Sequence, residues 1–300
     1  MAMLQSGITL DETSKTESYR WSGIPHWYLW EGGFLLLGRA KGLVPPHSHH
    51  AIQIVIAIDG KIAICGQHEQ WREGQGLIVR ADVEHSFDAQ GALGAMLFVD
   101  PESSEGAWLG TSVSEDITIV SGPRLDSCIS AIRTFAERPF ESMEISALIQ
   151  HCVRALSPGA PPTRRMDPRV TTVLNSIRAS DELRVSLESA AEMAFLSPSR
   201  FAHLFKQQMG LPFRRYMLWR KMTRAMVGIG SERTISDAAH AADFSDAAHL
   251  TRTFYQMFGM APSVLMRGEF AEIASPFSLS GQDTPFRATA STNSQFIQQQ

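Results

Sequence analysis

Cysteine is scarce in this chain. Cys65, Cys128 and Cys152 are odd in number and far apart, so they form neither a disulfide framework nor a CxxC metal site. Three thiols without a framework fit a reducing, cytoplasmic setting. Long apolar runs are missing too. Stretches such as Ile52 to Ile58 are broken by polar residues, and none approaches the ~20 apolar residues of a membrane helix. The first twenty residues, MAMLQSGITLDETSKTESYR, have no basic start leading into an apolar segment, which excludes a secretory signal in this stretch. Tandem repeats of solenoid type are absent. Low hydrophobicity is not among the deficits. With 44% hydrophobic and 19% charged residues, the chain supports packed cores, and 300 residues suggest about two domains.

Charge is unevenly placed. From Thr163 to Arg267 there are fifteen Lys and Arg against nine Asp and Glu, whereas the rest of the chain has twelve against twenty-two. An acidic body joined to a basic module points to a polyanion as the second module's partner. Between the two, Ser157-Pro-Gly-Ala-Pro-Pro-Thr163 packs three prolines and a glycine into seven residues, a composition that ends regular structure. We read residues 157–166 as a linker. The first twenty or so residues read as loosely held, and the Ser-, Thr- and Gln-rich tail over 275–300 as disordered.

Before the linker the pattern is that of strands. Phe34–Leu37, Ile52–Ile58, Lys61–Cys65, Gly76–Val79 and Ala95–Val99 are short, apolar or β-branched, and separated by turn signals. Asp59-Gly60 predicts a hairpin between the second and third. Two helices are expected next, over Leu125–Glu137 and Met143–Leu156. After the linker the period is helical throughout. Helices are expected from Pro168 to about Arg178, over Leu187–Ala194 with Ser186 as cap, and over Pro198–Gln208 with Ser197 as cap and Gly210 as stop. A longer one follows from Phe213 to about Val227. Another starts at Thr234 or Ser236, and a last one spans Asp246–Phe258, capped by Ser245 and stopped by Gly259.

Two helix pairs stand out, Leu187–Ala194 with Pro198–Gln208 and Ile235–Ala242 with Asp246–Met257. Each is two short helices joined by a tight turn. That is helix-turn-helix geometry, which presents one helix to a major groove, though an ordinary helical hairpin has the same outline. The detailed sequence goes further. Ser186-Leu-Glu-Ser-Ala-Ala-Glu-Met-Ala-Phe-Leu-Ser-Pro-Ser-Arg-Phe-Ala-His-Leu-Phe-Lys206 with Gly210 resembles the first helix-turn-helix of the AraC/XylS transcription regulators. Ile235-Ser-Asp-Ala-Ala-His-Ala-Ala-Asp-Phe-Ser-Asp-Ala-Ala-His-Leu-Thr-Arg-Thr-Phe254, with Phe258-Gly-Met-Ala-Pro262, resembles the second. Arg220-Lys-Met-Thr-Arg-Ala-Met226 resembles the family's linker helix. Asp243 departs from the pattern, which often has glycine at that turn; Asp tolerates a left-handed backbone better than most residues. The resemblance implies that Ser199, Arg200, Ala202, His203 and Lys206 face DNA in the first unit. In the second, Asp246, Ala247, Ala248, Thr251 and Arg252 do so. Arg200 and Arg252 are the first candidates for reading guanine, with phosphate as the other assignment for each. Arg214, Arg215, Arg220, Lys221 and Arg224 meet phosphate or form a solvated, ion-paired face.

The front half holds a second cluster. Gly42-Leu-Val-Pro-Pro-His-Ser-His-His50 is followed by Gln53, Gly60 and, much later, His85. If they alternate on a strand, His47 and His49 share a face. The pattern resembles a cupin motif with Gln53 in place of its usual glutamate, and His85 lacks the usual preceding proline. His47, His49 and His85 could supply three imidazoles to a divalent metal such as Zn, Fe or Ni; alternatively, with Gln53, they line an effector site. Five of the six tryptophans precede the linker, most of them expected in the core.

The expectation is an α+β chain. A cupin-like β-barrel with helices over 20–156 would sense a small molecule and dimerise. An all-α bundle over 167–268 would carry two helix-turn-helix units. Family resemblance implies a cytoplasmic homodimer acting on double-stranded promoter DNA, leaning to activation, with RNA polymerase as a further partner and no enzymatic activity. Two other readings stay open: a metal-dependent cupin enzyme with a helical appendage, and a DNA binder that needs no ligand.

Overall fold

The computed structural model describes residues 20–67, 69–113, 115–136, 142–157, 159, 166–180, 183–231 and 233–273. Most of the expected linker, the first nineteen residues and the expected tail over 275–300 lie outside the described residues.

Ten strands come first: β1 (Arg20–Trp30), β2 (Gly33–Lys41), β3 (Leu43–His47), β4 (Ile52–Ala57), β5 (Ile62–Gly66), β6 (Arg72–Gly74), β7 (Gly76–Val79), β8 (His85–Asp88), β9 (Leu93–Val99) and β10 (Ile117–Val120). Helix α1 (Ser104–Thr111) precedes β10, and the helices α2 (Pro123–Ala136) and α3 (Ser142–Leu156) follow it. The C-terminal part holds α4 (Pro168–Ala179), α5 (Leu187–Met193), α6 (Pro198–Met209), α7 (Phe213–Gly230), α8 (Ile235–Ala241) and α9 (Ala247–Phe258). A short 3-10 helix (Pro262–Arg267) and a strand, β11 (Glu269–Glu272), complete the described chain.

The cupin-like architecture is built as two sheets rather than as one closed barrel. One is seven-stranded, in the order β10-β7-β4-β9-β2-β1-β11; the other is four-stranded, β3-β8-β5-β6. Alternate residues of β4 explain why every position but Gln53 is apolar. Ile52, Ile54 and Ile56 pack on the side of α1, α2 and α3, while Val55 and Ala57 pack against Ile62, Ile64 and Phe87 of the small sheet. A sheet buried on both faces needs apolar residues at every position, so the alternation that marks a half-exposed strand is lost.

The expected Asp59-Gly60 hairpin does not form. β4 pairs with β7 and β9, and β5 pairs with β6 and β8, so the turn carries the chain from one sheet to the other. Gly60 supplies the positive φ of 67°. The Asp59 carboxylate accepts the Leu93 N–H at 2.8 Å and pairs with Arg39 at 2.6 Å. A two-residue turn pattern is a local signal, whereas a central strand takes the neighbours that bury both its faces.

Among the described residues three apolar clusters form the core, and their boundaries do not separate the strands from the C-terminal helices. One covers the helix-packed face of the large sheet. Another is the core of α4–α6, with Phe213, Tyr216 and Met217 from the start of α7. The remaining cluster runs from between the two sheets into α7, α8 and α9, taking in Trp219, Met222, Ala238, Leu250 and Phe258. Helix α7 therefore divides its apolar residues between the first helix-turn-helix and the rest of the molecule. Strand β11 strengthens this joint. It pairs in parallel with β1, His26 opposite Glu269 and Leu29 opposite Glu272, and Phe270 packs on Trp27 with ring centroids 4.3 Å apart. Among the described residues no helix is long and apolar enough to cross a membrane.

Candidate nucleic-acid interface and histidine cluster

Both helix pairs fold as two short helices around a tight turn. In the first, Ser186 caps α5 and Ser197 caps α6; Pro198 opens α6, and Gly210 ends it at φ 82°. In the second, Thr234 caps α8. The cap of α9 is Asp246 rather than the expected Ser245. Its carboxylate accepts the His249 N–H at 2.7 Å, and the helix begins one residue later, at Ala247. The buried faces are Ala190, Ala191, Ala194, Phe201 and Phe205 in the first unit, and Ala238, Ala242, Leu250 and Phe254 in the second.

The opposite faces are open. Ser199, Arg200, His203 and Lys206 are exposed along α6, as are Asp246, Ala248 and Arg252 on α9. Two expected contacts are spoken for locally. Asp246 is engaged as the cap, and the Thr251 hydroxyl donates to the Ala247 carbonyl at 2.8 Å. Arg252 is the remaining basic group of the predicted α9 surface.

The two turns share a geometry. Phe195 and Asp243 both have positive φ, 54° and 59°, and each donates its N–H to the carbonyl three residues back. Asp243 is fixed by two cations. Its carboxylate pairs with Arg184, which precedes the first unit, and with Lys221 of α7 at 2.5 Å. One turn residue thus ties the second unit to the linker helix and to the segment just before the first unit, and Lys221 is drawn from the expected phosphate-facing set. Phe195 was not anticipated. It is 94% exposed and stands where the other unit has Asp243. A left-handed backbone costs a residue with a Cβ about 1–2 kcal/mol, part of which glycine returns as chain entropy. Phe195→Gly is therefore expected to raise stability by about 0.5–1 kcal/mol, read as a higher urea midpoint at unchanged slope.

On the other side of α9 lies the histidine cluster. The structure brings His47, His49, Gln53 and His85 together and buries all four. His47 ends β3 and His85 begins β8, opposite each other in register; His49 sits in the loop after β3, not on the strand, and Gln53 points inward from β4. One ring nitrogen from each histidine lies within 4.8 Å of the other two. Each ring is anchored through Nδ1, which donates to a backbone carbonyl: His47 to Pro45 at 2.9 Å, His49 to Ala51 at 3.2 Å and His85 to Val83 at 3.0 Å. Nε2 of His49 and of His85 face the Gln53 side-chain oxygen at 3.1 and 2.9 Å. Burial, then mutual repulsion among the rings, pushes His47 down to about 2 and His49 to about 3, and burial lowers His85 as well. The three rings are neutral.

The cluster is roofed by the helical C-terminal half of the molecule. Phe258, the last residue of α9, lies 5.8 Å from Phe34, 6.0 Å from Phe98 and 6.0 Å from His49, centroid to centroid. Gly259 packs so closely that an added Cβ would come within 2.4 Å of Val44 and 3.2 Å of His47 Nδ1. Between the sheets lies a cavity of ≈ 20 Å³, bordered by Ala40, Ile62, Phe87 and Met96. That is room for about one water molecule.

A polar seam runs beside this roof. His50 faces away from the other three histidines and donates to Asp82 at 2.9 Å and to Glu102 at 3.2 Å. Burial alone would lower its imidazole, but those two hydrogen bonds and the adjacent carboxylate charges outweigh it and hold it up at about 9. Trp219 Nε1 of α7 donates to Asp100 at 2.9 Å, a buried bond between the two halves of the chain. Burial, then the charge of Glu102, holds the Asp100 carboxyl well above its ordinary 3.8. A carboxyl raised on folding stabilises the folded chain most when protonated, and that contribution is lost as pH rises. Asp100→Asn keeps the acceptor without the titration. Its urea midpoint relative to the parent chain is therefore expected to rise between about pH 5 and pH 8; a constant difference would show that Asp100 does not titrate there. Sequence reasoning missed Asp100, Glu102 and Trp219 as a group, because no local spacing links positions that meet only across the seam.

Known proteins bear on both parts. A family described as a helix-turn-helix domain matches residues 190–268. A probable transcriptional regulator, LumQ of Photobacterium leiognathi, is 24% identical over 225 residues, 72% of this chain and 90% of that protein. An uncharacterized HTH-type transcriptional regulator, YijO of Escherichia coli (strain K12), is 23% identical over 154 residues, 49% of this chain and 54% of the relative. Among solved structures, an apo variant of ToxT from Vibrio cholerae superposes with a TM-score of 0.52 at 9% identity, covering 75% of this chain and 92% of that one. Wild-type ToxT with unsaturated fatty acid bound gives 0.51 at 9% identity, over 82% and 97%. These likenesses concern the fold. The named relatives are described as transcription regulators.

Proposed function

We propose that the chain is a DNA-binding transcription regulator of the AraC/XylS type, an effector-controlled activator working in the cytoplasm as a homodimer. Helices α6 and α9 enter successive major-groove segments of promoter DNA. Arg200 and Arg252 read bases, while His203, Lys206 and Ser199 hold the backbone. Residues 20–156 form the sensing and dimerising part, 157–166 the connection and 167–268 the DNA-binding part. RNA polymerase is the partner through which activation acts.

The observation that carries this reading is the pair of capped helices with open, cation-bearing faces, both built onto one continuous helix, α7. Effector control is supported by the roof over the histidine cluster. A ligand at His47, His49, Gln53 and His85 would press on Phe258 and Gly259, the end of a recognition helix. It shifts DNA affinity only if it binds the docked and undocked arrangements unequally. That a fatty acid occupies ToxT makes small-molecule control of this fold reasonable.

The test is a selection from random duplex DNA with the full chain at several salt concentrations. A discrete motif is expected whose affinity falls with salt while its preference over scrambled duplex persists. Binding without sequence preference at every salt would remove the regulator's target reading. DNA affinity unchanged by a compound that raises the chain's melting temperature would exclude that compound as effector.

A further inference from the structure

The histidine cluster contains an unresolved pairing. Nδ1 of His47, His49 and His85 each meets a carbonyl, so each of those nitrogens carries the proton. The Nε2 atoms are then bare lone pairs. Yet Nε2 of His49 and of His85 face an oxygen, the Gln53 Oε1, at 3.1 and 2.9 Å. The Gln53 amide nitrogen meanwhile turns away, towards Met96 sulfur at 4.0 Å. Acceptors facing acceptors repel unless a positive charge lies between them. Hydrogen bonding alone would turn the amide round and place its two N–H groups on the rings. A cation between them would turn that repulsion into attraction.

We propose that His47, His49 and His85, through Nε2, and Gln53, through Oε1, form a binding site for a divalent transition metal of the zinc class. Three nitrogens and one oxygen suit a tetrahedral ion. With bonds of about 2.0–2.1 Å, its ligands stand about 3.4 Å from one another. The Gln53 contacts fall a few tenths of an ångström short of that, and the three ring nitrogens lie within 4.8 Å, so small ring rotations complete the sphere. Backbone carbonyls already hold each ring by its other nitrogen, the outer-sphere arrangement that orients metal-bound histidine. Calcium and magnesium, which want six or more oxygens, do not fit this donor set.

All four ligands are neutral, so the ion's double charge is not offset within the site. A neutral oxygen in place of a carboxylate weakens binding and suits an ion that comes and goes. Beneath Phe258 and Gly259 such an ion sits under the end of α9. In this respect the inference deepens the proposed function, since it gives the effector site its ligand class, and it rests on that reading only for the coupling to DNA. The site itself is tested by metal binding to the full chain, without DNA.

The full chain is produced in cobalt-supplemented medium, purified without chelators and assayed for metal content and visible absorption. One cobalt per chain is expected, with the intense d–d bands of a tetrahedral site, displaced by added zinc. His85→Ala is expected to lose at least about 100-fold in affinity, more than loss of an outer-sphere partner costs. Gln53→Glu, which adds a charge without changing size, is expected to bind about tenfold tighter or more. Because truncating a buried histidine can unfold the chain, the gain in Gln53→Glu is the deciding arm. Substoichiometric cobalt, octahedral spectra, or affinity unmoved in Gln53→Glu would each overturn the site, leaving Gln53 as a hydrogen-bond bridge between histidines. A sequence motif in the DNA selection would survive that outcome. Loss of the motif with the metal retained would instead remove the regulatory coupling and leave the site.

Discussion

Replacing Phe258 with alanine is expected to destabilise the chain by about 3–5 kcal/mol, the usual cost of emptying a buried phenylalanine site. The ring is buried, and its surroundings come from both halves of the molecule: Phe34, Phe98 and His49 below, Trp219 and Phe254 alongside. No single domain can relax to fill the space. The shape of the transition should change as well. In the parent chain the two sheets share one apolar cluster with α7, α8 and α9, so these parts unfold together. Without the ring, the joint retains β11, the Phe270–Trp27 contact and the Asp100–Trp219 bond. Calorimetry should resolve two transitions in place of one. Phe201→Ala serves as the control. That ring is equally buried but belongs to the separate core of α4–α6, so its loss should leave the sheet-containing transition in place. A single transition lowered by less than about 1 kcal/mol in Phe258→Ala would show that the ring is not the joint.

The second large effect is on DNA. Arg200→Ala and Arg252→Ala are each expected to cost about 1–3 kcal/mol on the selected duplex, the worth of a bidentate base contact. The two lie on different helices with separate surroundings, so their losses should add, giving about 2–6 kcal/mol for the double variant. On scrambled duplex the loss should be much smaller, because one arginine contributes about one unit of salt slope to backbone attraction. Titrations of both duplexes at several salt concentrations separate the alternatives. Equal losses on the two sequences would assign the arginines to phosphate. Both side chains are exposed, so the variants should melt with the parent chain.

Much of the C-terminal half was legible in the sequence because its signals are local. Ser186, Ser197 and Thr234 are caps, Gly210 and Gly259 are stops, and the alanine and phenylalanine positions recur at helical spacing. Where two residues competed for the same cap, Ser245 and Asp246, local pattern could not choose. The longer, charged side chain of Asp246 reached the His249 N–H and moved the helix start by one residue. Strands β1, β6, β8, β10 and β11 were not anticipated, and the strand expected to carry both His47 and His49 ends at His47. They are short, hold prolines, or lie in mixed sequence, and pairing rather than propensity makes them strands.

By itself the sequence determined a β-rich front half followed by two short, capped helix pairs, and its resemblance to the AraC/XylS and cupin patterns marked those pairs as helix-turn-helix units and His47, His49, Gln53 and His85 as a set. Those properties depend on intervals of a few residues, on caps, and on a family pattern that reads along the chain. Tertiary structure alone decided that Asp59-Gly60 bridges two sheets, that Asp100 meets Trp219, and that the end of α9 roofs the histidines. Each of these joins residues tens to hundreds of positions apart. What selects them is the need to bury both faces of the large sheet and the end of α9 at once, a condition on the whole molecule that no local interval records.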